Sequence, residues 1–538
     1  MSRGGRLISP GGLLEGTAWE PQPDLLELVK RQFEHADDIV FRTFRLPPGG
    51  RELCVVYAEG MVDTDGVENA IIRPALSACA GGRPGEGHEE PQGAVRVPEP
   101  GKELAADPLE LLARDVLAAA DVTWVTSPEE AYEAVLGGGV LVLVPGERRG
   151  LRADNKGGKS RAIENPILEV TLRGPRDSFT EVLAVNTALI RRRLKDPNLR
   201  VRKFRVGRRS KTDVALIYLE GIAPERVVEE VRSRIESIDI DGILDTGYIE
   251  HLIEDKWWSP FPQHLKSERP DRVVASLLEG RVALIADTTP FALMMPATID
   301  AFFHSPEDSY DRWFPVNILR TVRFIASLLS LTAPSLYVAL VAYHPGILPT
   351  QLLLKVTAAR EGVAFPVVIE ALIIMFFLEL IKEAGFRMPG PIGQIFGIVG
   401  GLILGDVGVR AGIVSEAMVI VVAVTAISSF TAIDREMGTV LRLLGLPVLL
   451  SAAVFGLPGL VMALLLVLIH VAILRSYGVP YVDPYPFFKL QDIQDTIVEM
   501  PIGARKLRPA YLGSKKRRRL RGPSGGRGGG RRRGEEGR

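Results

Sequence analysis

The chain has 538 residues, 46% of them hydrophobic, with 65 Lys and Arg balanced by 65 Asp and Glu and a mean hydropathy of +0.15. Such a length leaves room for roughly three or four domains. The two cysteines, Cys54 and Cys79, give no basis for a disulfide framework or a cysteine metal cluster.

Residues 1–22 are Gly/Pro-rich without periodicity and are expected as a disordered tail. The opening MSRGGRLISPGG has no apolar signal core, so the first ~310 residues are expected to stay cytoplasmic. From Asp24 the spacing predicts a helix (DLLELVKRQF), an alternating strand (IVFRTFRL), a PPGG turn, a buried strand (ELCVVYAEG) and a helix (TDGVENAIIRPALSA). Residues 80–101 have loop composition and read as a flexible insertion. LLARDVLAAADVTWV, SPEEAYEAVL and GGVLVLVPG then read helix–strand–helix–strand, with Ser127 capping ahead of Pro128. Together these make a first α/β lobe over 23–165. RADNKGGKSRAIENP reads as an exposed crossover, and its NKGGKS lacks phosphate-loop spacing.

The same order returns at Ser178. SFTEVLAVNTALIRRRL reads as a helix, LRVRKFRV as a strand, GRRSKT as a turn, DVALIYLEG as a buried strand and PERVVEEVRSRIESI as a helix. FRTFRLPPGGRELCVVYAEGMV and VRKFRVGRRSKTDVALIYLEGIA are related, so a second lobe over 166–283 is expected as a diverged copy of the first. No catalytic constellation emerges. His35, His88, His251 and His264 lack metal-ligand spacing, and Asp63/Asp65 and Asp239/Asp241 sit at turns, where capping suits them better than acid–base work. The expectation is no enzyme, no metal and no cofactor.

Near Trp313 the solvent changes. LIADTTPFALMMPATIDAFF is apolar but broken by Asp287, Pro290 and Pro296, and is expected within an interfacial elbow over 284–314. From 315 to 478 a succession of apolar stretches predicts an α-helical polytopic membrane domain of four to six spans. Residues 318–342 make the clearest span, and TQLLLKVTAAREG reads as an interfacial amphipathic helix. The span at 366–381 carries Glu370 and Glu379, whose i, i+9 spacing puts them on opposite faces, each needing protein or water beside it. A span over 391–409 sets Gly393, Gly397, Gly401 and Gly405 on one face, which suits close helix packing, and ends on the i,i+4 pair Asp406 and Arg410. After a span at 412–432, the stretch 439–474 would be ~50 Å long as one helix. That exceeds a ~30 Å hydrocarbon core, so it must tilt, kink or turn back near Gly456, Pro458 and Gly459. The basic tail within 479–538 favours an even number of crossings with both termini cytoplasmic. It reads as solvated beside anionic lipid, with no nucleic-acid partner.

Several runs carry a resemblance: RGPRDSFTEVLAVNTALIRRRL, SPFPQHLKSERPDRVVASLLEGRVALIADTTPFALMMPATI, APSLYVALVAYHPGILPTQLL, AREGVAFPVVIEA and EAGFRMPGPIGQIFGIVGGLILGD. With these, from about 165 to 490, the chain resembles the A subunit of GerA-type spore germination receptors; it departs from that family's pattern at TAIDREMG. The resemblance implies a non-enzymatic subunit of a nutrient receptor in the spore inner membrane. Its implied partners are a transporter-like, germinant-binding B subunit and a lipoprotein C subunit, and it implies a homo-oligomer that conducts ions when germinant binds. The glycine ladder would then be the seam of the pore, with Gln394, Ile395, Ile398, Val399 and Leu402 as lining candidates. The alternatives are a secondary transporter, which intramembrane carboxylates would also suit, and a non-conducting scaffold.

Overall fold

The computed structural model describes residues 24–46, 51–79, 108–113, 117, 122–155, 165–166, 169–171, 173–387, 400–401, 403–431, 433–483 and 498–519. The expected tail at 1–22, the insertion at 80–101 and the Arg/Gly-rich end beyond 519 lie outside them. Two compact units divide the chain: Met1–Lys159 with Lys195–Pro197, and Ser160–Leu194 with Asn198–Arg538.

In the first unit, Asp24 caps the helix Leu25–Gln32 by accepting from the Glu27 N–H at 2.7 Å. Ser127 and Glu130 close a capping box on Pro128–Leu136. Five strands, β1 (Ile39–Leu46), β2 (Arg51–Ala58), β3 (Val122–Val125), β4 (Val140–Leu143) and β5 (Gly150–Ala153), form one antiparallel sheet in the order β1-β2-β4-β5-β3. Leu53, Val55, Val142 and Leu151 pack with Val67, Ile71 and Leu109 in its core. The expected crossover therefore starts late, because Arg152 and Ala153 belong to β5.

The second unit repeats the plan. β6 (Leu199–Val206), β7 (Thr212–Leu219), β8 (Leu265–Ser267), β9 (Val282–Ala286) and β10 (Ala292–Met295) lie antiparallel in the order β6-β7-β9-β10-β8, the same permutation. Val214, Leu216 and Tyr218 face one core cluster and Ala215, Ile217 and Leu219 the other. A strand covered on both faces loses its polar alternation, which is why β7 reads as one apolar run.

Two expectations are corrected here. Residues 284–295 do not lie at a membrane surface: they complete β9 and form β10, every residue of both strands being buried. Pro128, Val140 and Gly150 of the first lobe return as Pro270, Val282 and Ala292, so the second copy extends past 283. Asp287 and Pro290, taken as breaks in an apolar stretch, belong to the turn between the two strands. The second correction concerns the helix expected from Ser178, which begins at Leu183. Asp287 Oδ1 accepts from the Leu183 N–H at 2.9 Å, and Asn186 Oδ1 from the Thr180 N–H at 2.7 Å, holding the preceding segment extended.

C-terminal to the second sheet, the described residues form the helices Trp313–Tyr343, Thr350–Ala358, Val367–Arg387, Glu416–Phe430 and Arg435–Ile473, with a short π turn at Ile403–Val407 leading into Gly408–Arg410. Two of them, Trp313–Tyr343 and Arg435–Ile473, are long and apolar enough to cross a membrane. The latter, 39 residues, would be ~58 Å long as a straight rod. It is instead a hairpin. Glu436 in its first turn bonds Lys266 and His470 in its last turn bonds Ser259, two residues of one short stretch that reaches ~25 Å at most. Gly456 makes the reversal, with φ 66° and ψ −142°. Its Cα lies so near the end of the Trp313 helix that an added Cβ would fall 2.8 Å from His344 Cε1 and 3.0 Å from Tyr343 Cβ. Tyr343 Oη also donates to the Ala453 carbonyl.

Candidate functional site: the root of the apolar helices

β8 and the loop before it receive both ends of the hairpin. From Ser259 to Lys266 successive groups each hold a different part of the returning chain. Ser259 Oγ lies 2.9 Å from His470 Nε2, and the Phe261 ring stacks on His470 at 5.8 Å. The Pro262 carbonyl accepts from Tyr481 Oη at 2.8 Å and the Gln263 carbonyl from Ser476 Oγ at 2.9 Å. His264 Nε2 lies 2.8 Å from Tyr477 Oη, and Lys266 Nζ sits between Glu250 Oε2, at 2.5 Å, and Glu436.

Tyr477 and Gly478, with φ of 51° and 75°, form the two-residue turn joining Arg475–Ser476 to Val479–Pro480. Consecutive positive φ values match the tight hairpin turns that favour glycine, so the tyrosine carries strain that its ring contacts must hold. Its N–H donates to Asp255 Oδ2 at 2.7 Å, and the Arg234 guanidinium lies over its ring at 4.6 Å. Burial, foremost, pushes its phenol well above the usual range.

The charges at the root are arranged to stay ionised. Burial alone would raise Glu250, but the His264 hydrogen bond and the Lys266 charge outweigh it and hold the carboxyl below its ordinary value. Burial alone would depress Lys266, yet Glu250 and Glu436 hold it above its ordinary value. Glu254, facing the same space, is raised by burial. Glu250, Glu254 and His264 are close enough for one cation, but Lys266 already neutralises Glu250. A second network fixes the start of the Trp313 helix. Asp308 takes Arg323 at 2.8 Å and Arg320 at 3.2 Å, and Glu499 binds Arg320 and Arg505. Burial opposes ionisation of Asp308, but the two guanidiniums hold it below the carboxylate range. A cavity of about 140 Å³ opens beside this network, lined by Asp271, Arg281, Asp300, Tyr310 and Tyr511 among others. In its wall Tyr310 donates to Asp271 at 2.6 Å, and burial with that bond raises the phenol to about 12.

At the opposite end of the helices, Glu370 is 0% exposed. It accepts from the Ser415 N–H at 2.6 Å and from its hydroxyl at 2.5 Å, and pairs with Arg360 at 3.0 Å. Glu379 pairs with Arg442 at 3.2 Å, and Asp406 with Arg410 at 2.8 Å. The helix bearing both glutamates runs to Arg387 rather than stopping near 381, and Lys382 within it donates to Ser429 at 2.7 Å. Of the glycine ladder, Gly401 and Gly405 are described, and a Cβ on either would meet nothing within 4 Å. The close approach inside the chain is made by Gly400 instead, where a Cβ would fall 2.5 Å from Ile381 Cδ1. Gly393, Gly397, Gln394, Ile395, Ile398, Val399 and Leu402 lie outside the described residues. Asp63 caps Asp65 as its turn position suggested, whereas Asp239 and Asp241 both pair with Arg208. His264, set aside in the sequence as one of several scattered histidines, belongs to the root. Only its partners reveal that, and they lie far along the chain.

The described residues thus hold two related five-stranded sheets, the second of which is bonded to both ends of an apolar helical hairpin, and two of the helices that follow are long and apolar enough to cross a membrane. Residues 27–511 match the Bacillus/Clostridium GerA spore germination protein family, and the chain belongs to that family. It is 37% identical to spore germination protein B1 of Bacillus subtilis (strain 168), over 90% of this chain and 95% of that one. It is 36% identical to spore germination protein GerLA of Bacillus cereus, over 93% and 97%. The crystal structure of the N-terminal domain of the A subunit of the Bacillus megaterium spore germinant receptor GerK3 aligns at 33% identity with a TM-score of 0.37, covering 51% of this chain and 94% of that domain.

Proposed function

We propose that this chain is the A-type membrane subunit of a spore nutrient-germinant receptor and forms a homo-oligomeric, germinant-gated ion channel in the spore inner membrane. It works with a transporter-like B subunit that binds the germinant and a lipoprotein C subunit, and it catalyses no reaction. The observation that carries the reading is the root: both ends of an apolar hairpin are bonded to one strand and loop of the second sheet, so a force on the lobe is delivered to the helices.

Helix direction supports six crossings. The Trp313 helix leaves the root and ends at the hairpin tip, and Val367–Arg387 begins at the far level, where Glu370 meets Arg360 and Ser415. It returns to where Lys382 meets Ser429, near the end of the Glu416 helix. If the expected span at 391–409 crosses between them and the two hairpin arms follow, the count is even and both termini are on the cytoplasmic side. The open face at Gly401 and Gly405 suits contact with a second copy. Glu370, neutralised by an arginine and two further donors, is a structural group and does not favour coupled exchange.

The test is Gly401→Cys in a background lacking Cys54 and Cys79, oxidised in membranes. Cross-linked copies of the chain are expected, and Gly401→Leu should prevent association. A chain that stays monomeric in both experiments would leave only the transporter and scaffold readings.

A further inference from the structure

Trp257 and Trp258 are 82% and 58% exposed on a soluble lobe, although large aromatics normally go inside. Their loop is built to hold them out. Gln263, 1% exposed, accepts from the Lys256 N–H at 3.1 Å and donates to the Lys256 carbonyl at 2.8 Å, clamping the loop at its base. The Ser259 N–H closes a turn on the Lys256 carbonyl at 3.1 Å. Lys256 Nζ lies 5.6 Å from the Trp258 ring, adding a positive charge to the aromatic surface.

The height of the loop is fixed as well. Trp258 lies 5.1 Å from the ring of His470, and Ser259 bonds the same histidine, in the last turn of the hairpin. Trp313 and Phe314, also exposed, open the first long apolar helix. An aromatic pair with a cation at the level where apolar helices end is the composition of a headgroup belt. Here, however, it is carried by the soluble lobe.

We propose that the loop 256–260 is a membrane-interface anchor: Trp257 and Trp258 insert at the headgroup level of the bilayer that the apolar helices cross, and Lys256 faces anionic headgroups. This rests on the reading that those helices span the membrane. The anchor is joined to the root through Ser259 and His470, so it sets the height of the lobe on the bilayer at the point where the lobe holds the hairpin.

The five tryptophans allow a direct test on the full chain in phosphatidylcholine–phosphatidylglycerol liposomes whose acyl chains are brominated either near the headgroup or near the chain end. Trp19→Phe, Trp124→Phe, Trp313→Phe leaves only the loop pair to emit. Trp19→Phe, Trp124→Phe, Trp257→Phe, Trp258→Phe leaves only Trp313. Shallow bromines are expected to quench the loop pair roughly two-fold and deep bromines much less, as for interfacial aromatics. Quenching of Trp313 without quenching of the loop pair would overturn the anchor and leave the spanning helices intact. Absence of quenching in both would overturn the spanning reading itself. A loop pair that ignores bromolipid but shifts its emission when companion subunits are added faces protein, which also overturns the proposal.

Discussion

Lys266 joins two carboxylates that belong to different parts of the chain: Glu250, buried in the lobe, and Glu436 on the hairpin. Replacing it by methionine strands Glu250 without a counter-charge. Lys266→Met should therefore cost about 2–3 kcal/mol, under the ~3–5 kcal/mol of a fully buried pair because the lysine is partly exposed, read as a lowered thermal midpoint of the detergent-solubilised chain. Adding Glu250→Gln should recover part of that loss. Asp308 gives a pH signature. Its folded pKa lies below the unfolded value, so the unfolded state takes the proton first. The stability it contributes is then present above about pH 4 and lost as pH falls through its folded value. Asp308→Asn should lower stability at neutral pH and flatten the acid limb of unfolding; an unchanged limb would mean that the two arginines do not depend on this carboxylate.

At the scale of elements, Gly456 is the position that no other residue fills easily. Its φ lies in the left-handed region, its ψ is outside the αL well, and the Tyr343–His344 step is in contact. Gly456→Ala should destabilise the helical region by roughly 2 kcal/mol or more, seen as earlier loss of helix on heating. Gly503, with open space around it, should tolerate the same change. Much of this architecture was legible in the sequence. The cap at Ser127, the strands around IVFRTFRL and LRVRKFRV and the break near Gly456 each follow from a local rule. β9 and β10 were not legible, because VALIA and ALMM are buried on both faces and carry no alternation, and so resemble a fragment of a membrane helix. The root escaped for another reason. It is assembled from residues some two hundred positions apart, such as His264 with Tyr477, and no periodicity records such a pairing. What the sequence did offer was the SPFPQHLKSERPD run, which carries the resemblance to the family and is the segment that grips the hairpin.

As a whole molecule, the chain is a duplicated lobe whose second copy holds a bundle of apolar helices by their near ends. Among the described residues, 22% of the most apolar window of the hairpin is buried. On the proposed reading, the exposed remainder faces lipid or a second copy, and the grip at one end lets the helices follow a movement of the second lobe. The direct measurement is ion efflux from liposomes containing the full chain with its companion subunits, before and after nutrient is added. Efflux should rise on addition of nutrient, fall away in Gly401→Leu, and lose part of its nutrient dependence in Lys266→Met, where the ion pair between the lobe and the first turn of the hairpin is gone. Nutrient-independent retention of ions by the parent assembly, or efflux unchanged in both variants, would contradict the channel and the role of the root.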